Sequence, residues 1–127
     1  MKLSELLQRL RFGRDVDASG LDRYRELTLD QMVPDRALIA KCKPRGVCTV
    51  AGLVEAARVA DYRGTESFVV TLVDDSADLD LVWLGRTSIQ GLQVGVALKA
   101  KGTLSQWQGS LAMIDPSYTI LSGSYYE

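Results

Sequence analysis

Downstream of Arg45 the chain changes its period. Val47, Thr49, Ala51 and Leu53 alternate with Cys48, Val50, Gly52 and Val54, and four later runs show the same spacing. Period two is the spacing of strands, because successive side chains leave a pleated backbone on opposite sides. The runs are Arg45 to about Val59, Ser67 to Val73, Leu79 to Leu84, Gly95 to Leu104, and Ser110 to Leu121, the last offset at Pro116. Turn-forming clusters separate them: Asp61 to Thr65, Asp74 to Asp78, and Ser105 to Gly109. Between the third and fourth runs, Thr87 to Gly91 leaves room for a turn or a single helical turn. Both faces of the first run are apolar, as in a barrel strand covered on one side and partly used on the other. Gly52 inside it predicts a bulge or a sharp bend, the means by which small barrels turn a corner.

Five strands with a crossover between the third and fourth predict an OB-fold, a partly open Greek-key barrel. An SH3-like barrel is the main competitor, and the long first strand with its internal glycine favours the OB-fold. Upstream, Leu3, Leu6, Leu7 and Leu10 recur at helical spacing, with Ser4 and Glu5 near the start and Gly13 after the end. An amphipathic helix over Lys2 to Phe12 follows, able to dock on the barrel, pair with a second copy or serve a partner. Gly13 to Gly20 reads as a polar linker, and Leu21 to Leu29 as a second helical turn or short helix. Pro34 disfavours helix at Val33, and Asp35 then caps a short turn over Ala37 to Ala40. The chain divides into an amino-terminal helical or irregular extension, 1–36, and an OB-fold domain, 37–127.

With 127 residues, 46% of them hydrophobic, the chain is long and apolar enough for one packed domain. No apolar run approaches the roughly 20 residues of a membrane span. The start carries charges throughout and lacks the apolar centre of a secretory signal. A soluble cytoplasmic protein is the default. The absence of histidine removes the commonest general base, and no catalytic constellation, metal site or cofactor motif is expected. Asp74, Asp75, Asp78 and Asp80 lack the glycine and terminal glutamate of a calcium loop and read as a solvated acidic hairpin. The two cysteines, Cys42 and Cys48, leave a disulfide as one alternative. The preferred reading is two small buried hydrophobes, with Cys48 alternating with Val50.

The net charge of -1 argues mildly against a dedicated nucleic-acid binder. Its distribution is polarised: from Lys41 to Val73 the bases Lys41, Lys43, Arg45, Arg58 and Arg63 outnumber Glu55, Asp61 and Glu66, whereas acids dominate from Asp74 to Glu127. A local basic face is therefore compatible with the overall balance.

The motifs VTLVDDSADLDLVWLG and IQGLQVGVALKAKGTLSQWQGSLAMIDPSYTIL resemble the wedge OB domain of RecG-type branch-migration helicases. LVWLGRTSIQGLQVG, from Leu81 to Gly95, is more similar still to short stand-alone OB-fold nucleic-acid-binding proteins of actinobacteria, as is the upstream ALIAKCKPRGVCTVAGLV. The resemblance covers about Ala37 to Leu121. Two departures stand out: the family's Asp-Gly-Thr-Gly hairpin is Asp75-Ser76-Ala77-Asp78 here, and the second arginine of its Gly-Arg-Arg is Thr87. Both weaken the electrostatic case for strong binding.

An OB-fold binds single strands across its second and third strands, flanked by the loops after strands one and four. Those loops carry Tyr62 and Trp107, rings on which a base of any identity stacks. Arg58 and Arg63 beside Tyr62 are candidate phosphate contacts, and the resemblance adds Arg86. Bland alternatives stand beside these: Trp107 as a lid on the barrel end or packed on the amino-terminal segment, and Arg86 as a solvated charge at a strand end. Trp83 and Phe68 read as core and Tyr118 as packed beneath the barrel; Lys99 and Lys101 read as a basic stripe or, preferably, as the wet side of the fourth strand. The expected function is non-enzymatic, sequence-nonspecific binding of single-stranded or junction DNA, accessory to repair or replication. The rival is a protein-interaction module, with self-association or a partner engaged through the Lys2 to Phe12 helix.

Overall fold

The alternating run after Arg45 becomes β1 (Val47–Tyr62), a strand of 16 residues that serves two neighbours in turn. Val47 to Leu53 pair antiparallel with β4 (Ala97–Trp107), and Leu53 to Tyr62 with β2 (Thr65–Val73). A strand changes partner in this way only by bending. Gly52 supplies the close approach: a Cβ there would land on the Val73 carbonyl. The expected bulge falls a little later, at Glu55, where the ladder slips between Val54 and Ala56 and the twist tightens.

The computed structural model describes residues 33–107 and 109–121, Trp107 by its backbone alone. The helix expected over Lys2 to Phe12 and the helical turn expected over Leu21 to Leu29 lie outside the described residues.

β2 pairs antiparallel with β3 (Asp78–Leu84), which pairs in parallel with β5 (Ser110–Ile114). β5 returns along β4, and β6 (Ser117–Ile120) continues along the same edge. The last two segments are halves of one strand, broken at Asp115-Pro116 where the sequence predicts the offset. Asp115 takes a left-handed φ of 50° there, and its carboxylate accepts the Leu84 N–H at 3.0 Å. The order β1-β2-β3-β5-β4, closed by β4 on β1, is the five-stranded Greek-key barrel of the OB-fold.

Inward positions fill the barrel. Val50 and Val54, Phe68, Val70 and Leu72, Leu79, Leu81 and Trp83, Leu98 and Leu104, and Met113 share one buried cluster. Each large aliphatic side chain buried in this way is worth about 1.5–3 kcal/mol. Ile39 joins from the 3-10 turn Ile39–Lys41, and Ile89 and Leu92 from the connection between β3 and β4, which forms turns rather than a helix. Trp83 and Phe68 are core, as the alternation predicts. The indole N–H of Trp83 donates to the Pro116 carbonyl at 3.2 Å, so the buried ring leaves no unpaired donor. Tyr118 meets Trp83 edge-on, with ring centroids 5.5 Å apart, yet remains on the surface.

Two expectations are corrected. Cys42 and Cys48 are not separate small hydrophobes: they form a disulfide, with Cα atoms 6.3 Å apart. The 3-10 turn and the Lys43 to Gly46 turn after it fold the chain back on itself, so the first cysteine meets the start of β1. Nor is the acidic hairpin solvated throughout. Asp74 is 1% exposed. Its carboxylate accepts the N–H groups of Ile39 (2.9 Å), Ser76 (2.7 Å) and Ala77 (3.0 Å) and the Ser76 hydroxyl (2.6 Å). It thereby clasps the 3-10 turn to the β2–β3 hairpin. A buried carboxylate is tolerable when donors replace its water.

Candidate functional site

Residues that alternate with the core face outward. On the β2–β3 side these are Val69 and Thr71, Asp80 and Val82, joined by Ala112 of β5 and by Arg58, Ala60 and Tyr62 from the far half of β1. The ladder sets Val69 opposite Val82, and Thr71 opposite Asp80. Tyr62, Val69, Val82 and Ala112 form a second buried cluster on this outer surface, with Ala60 and Ile114 against it.

Two tight turns bound the face. The β1–β2 connection is Arg63-Gly64, with φ of 52° and 87°, the left-handed pair that a two-residue hairpin of the right twist requires. Asp61 steadies it by accepting the Gly64 N–H at 3.2 Å. At the other end Trp107 pairs with Ser110, and Gly109 takes φ of 82°. The loops expected over Asp61 to Thr65 and Ser105 to Gly109 are thus narrower hairpins than the sequence suggests.

The five candidate residues fall in different situations. Tyr62 is buried to 5% exposure, and the Arg63 guanidinium sits over its ring, 5.4 Å from the centroid. That cation occupies the surface a base would need for stacking. Arg58 reaches across the face to the Thr71 hydroxyl (3.1 Å) and the Asp80 carboxylate (3.5 Å). The Thr71 hydroxyl in turn donates to Asp80 at 2.9 Å, which closes the network. Arg86 is exposed just after β3, and the Gly85 N–H on the Glu66 carbonyl (3.0 Å) sets it beside the start of β2. The structure thus gathers Arg58, Tyr62 and Arg63 at one end of the face, with Arg86 near them. The Trp107 backbone stands at the other turn, and its side chain lies outside the described residues.

A cleft of about 430 Å³ opens between the β2–β3 hairpin and the second turn, lined by Thr71, Asp78, Leu79, Asp80, Gly109, Ser110 and Leu111. Among the described residues its charged groups are carboxylates. Burial, and next the charge of Glu55, push the Asp78 carboxyl up from its ordinary value of 3.8. Such a floor repels phosphate but admits an uncharged base or a donor group. Asp80 and Thr71, the partners of Arg58, escape a reading of the sequence because the pairing is across strands. Alternation places Asp80 on the outer side, but no local pattern reveals the register that sets it against Thr71.

No protein-family model and no curated protein sequence matches the chain. Solved structures do resemble it. The solution structure of a replication factor A-related protein from Methanobacterium thermoautotrophicum superposes with a TM-score of 0.55 at 14% identity, over 68% of this chain and 90% of that one. The crystal structure of the p204 HINb domain gives a TM-score of 0.55 at 15% identity, over 74% of this chain. There the chain spans about half of its neighbour, 51%. At these identities the likeness concerns the fold, and it agrees with the strand order above.

Proposed function

We propose that the protein is a non-enzymatic OB-fold module that binds single-stranded nucleic acid weakly and without sequence preference. The observation that carries this is the outer face of β2 and β3, bounded by the Arg63-Gly64 turn at one end and by the turn after Trp107 at the other. Its likeness in fold to a replication factor A-related protein supports the same reading. So does the similarity of its motifs to the helicase wedge and the stand-alone OB-fold proteins. Single-stranded or junction DNA is the preferred ligand, and assistance to a repair or replication machine the preferred role. Weakness follows from chemistry: Arg58 is already engaged by Asp80, and the cleft floor is acidic.

Fluorescence anisotropy with labelled oligo-dT, at low and moderate salt, tests the reading. Wild-type protein is expected to bind, to release on adding salt as counterions return, and to weaken about tenfold in Trp107→Ala, given about 1–3 kcal/mol per stacked base. A flat titration at low salt refutes it. The alternative, a protein-interaction module, is favoured by Leu84, Tyr118 and Ile120, apolar side chains left exposed along the ends of β3 and β6.

A further inference from the structure

A cation that no carboxylate holds neutralises a phosphate without first giving up a partner. On the β2–β3 face Arg58 does not meet that condition, because Asp80 and Thr71 hold it. The opposite side of the barrel does. Along β4, Lys99, Lys101 and Thr103 alternate with the core positions Leu98, Ala100 and Leu104, and so face outward. The ladders place Thr49 of β1 opposite Lys101, and Thr119 of β6 opposite Lys99. Arg45 stands at the head of β1, its N–H on the Leu104 carbonyl at 2.6 Å. None of these outward positions is acidic. Among the described residues, Arg45, Lys99 and Lys101 make no ion pair.

Resting on the function argued above, we infer that the outward row of β4, with Arg45, is the track for the sugar–phosphate backbone of the bound single strand. Alternate residues of a strand are about 6.8 Å apart, so the lysines form a regular line of charge. The Thr49, Thr103 and Thr119 hydroxyls flank that line as donors to phosphate oxygens. Lysine is a point charge with no base preference, which suits nonspecific binding. The same alternate positions continue through Ser105 to position 107, so the row leads to the tryptophan at the end of β4. The open stretch ends at Ala51, opposite Lys99, which is wholly buried. The row runs towards the turn at Gly109, which lines the edge of the acidic cleft, so the carboxylates there are left to groups without charge.

The test compares Lys99→Gln/Lys101→Gln with wild-type protein in oligo-dT anisotropy across a salt series. The β4 variant is expected to bind about tenfold more weakly and to flatten the logarithmic salt slope by about 0.7 for each lysine lost. Amine acetylation of wild-type protein gives an independent readout that needs no variant to fold: oligo-dT is expected to protect Lys99 and Lys101. Unchanged binding in the β4 variant, or unprotected lysines while wild-type protein binds, overturns this surface and leaves nucleic-acid binding standing. Absence of wild-type binding overturns both.

Discussion

Asp74 shows how much one side chain can organise. A fully buried carboxylate takes four donors, three of them backbone N–H groups, and one of those lies 35 residues away at Ile39. Asp74→Ala leaves all four without that acceptor, the buried Ile39 N–H among them. Each orphaned donor costs about 1–3 kcal/mol before relaxation, so a net loss of about 3 kcal/mol is expected. That loss should appear as a fall of about 10 °C in the melting temperature. Asp74→Asn keeps one acceptor oxygen and should lose roughly half as much. A melt of Asp74→Ala that matches wild type would show that the clasp holds nothing. Gly52 was legible as a special position, since an isolated glycine in an alternating run signals close approach or a bend. Asp74 was not: four acids crowd the hairpin, and only the distant Ile39 amide distinguishes the one that is buried.

Among the elements, strand identities were legible because alternation and turn residues are local. The order of runs, the broken last strand and the short β3–β4 connection all emerged from those signals. The disulfide was not legible, because a pair of cysteines in sequence says nothing of whether the chain between them folds back. It does here, through the 3-10 turn and the turn at Lys43 to Gly46. The cross-link closes a loop with a sequence separation of 6 and tethers the segment that delivers Ile39 to the core. In the chain-entropy account so small a loop gives about 2 kcal/mol. Cys42→Ser/Cys48→Ser is therefore expected to melt about 5 °C lower than wild type. Reductant should bring wild type down to the variant and leave the variant unmoved. Equal melts with and without reductant would show that the bond adds nothing to stability. A bond of this kind persists in oxidising surroundings, so the cytoplasmic default drawn from the sequence fits the protein only if the pair is kept reduced there.

At the scale of the molecule, the candidate site was half legible. Alternation identified outward residues, and the resemblance identified the face, but neither showed that Arg58 and Asp80 meet or that Arg63 folds over Tyr62. Those facts depend on register across strands, which closure of the barrel determines. Closure joins Val47 to Leu53 with Ala97 to Thr103, segments separated by most of the domain. No native-like barrel exists until that pairing forms, so loop entropy must be lost before the core gives anything back. Folding is therefore expected in milliseconds to seconds, as for other barrels dominated by non-local pairing. The chain has two tryptophans, and Trp107→Phe leaves Trp83 as the single indole, buried against Phe68 and hydrogen-bonded to Pro116. Pro116 joins β5 to β6, so the Trp83 signal reports the closed barrel rather than a local hairpin. Stopped-flow fluorescence of that variant, with the disulfide intact, should give one exponential phase on this timescale. Microsecond recovery of the Trp83 signal would mean that the core around it assembles before β1 and β4 meet.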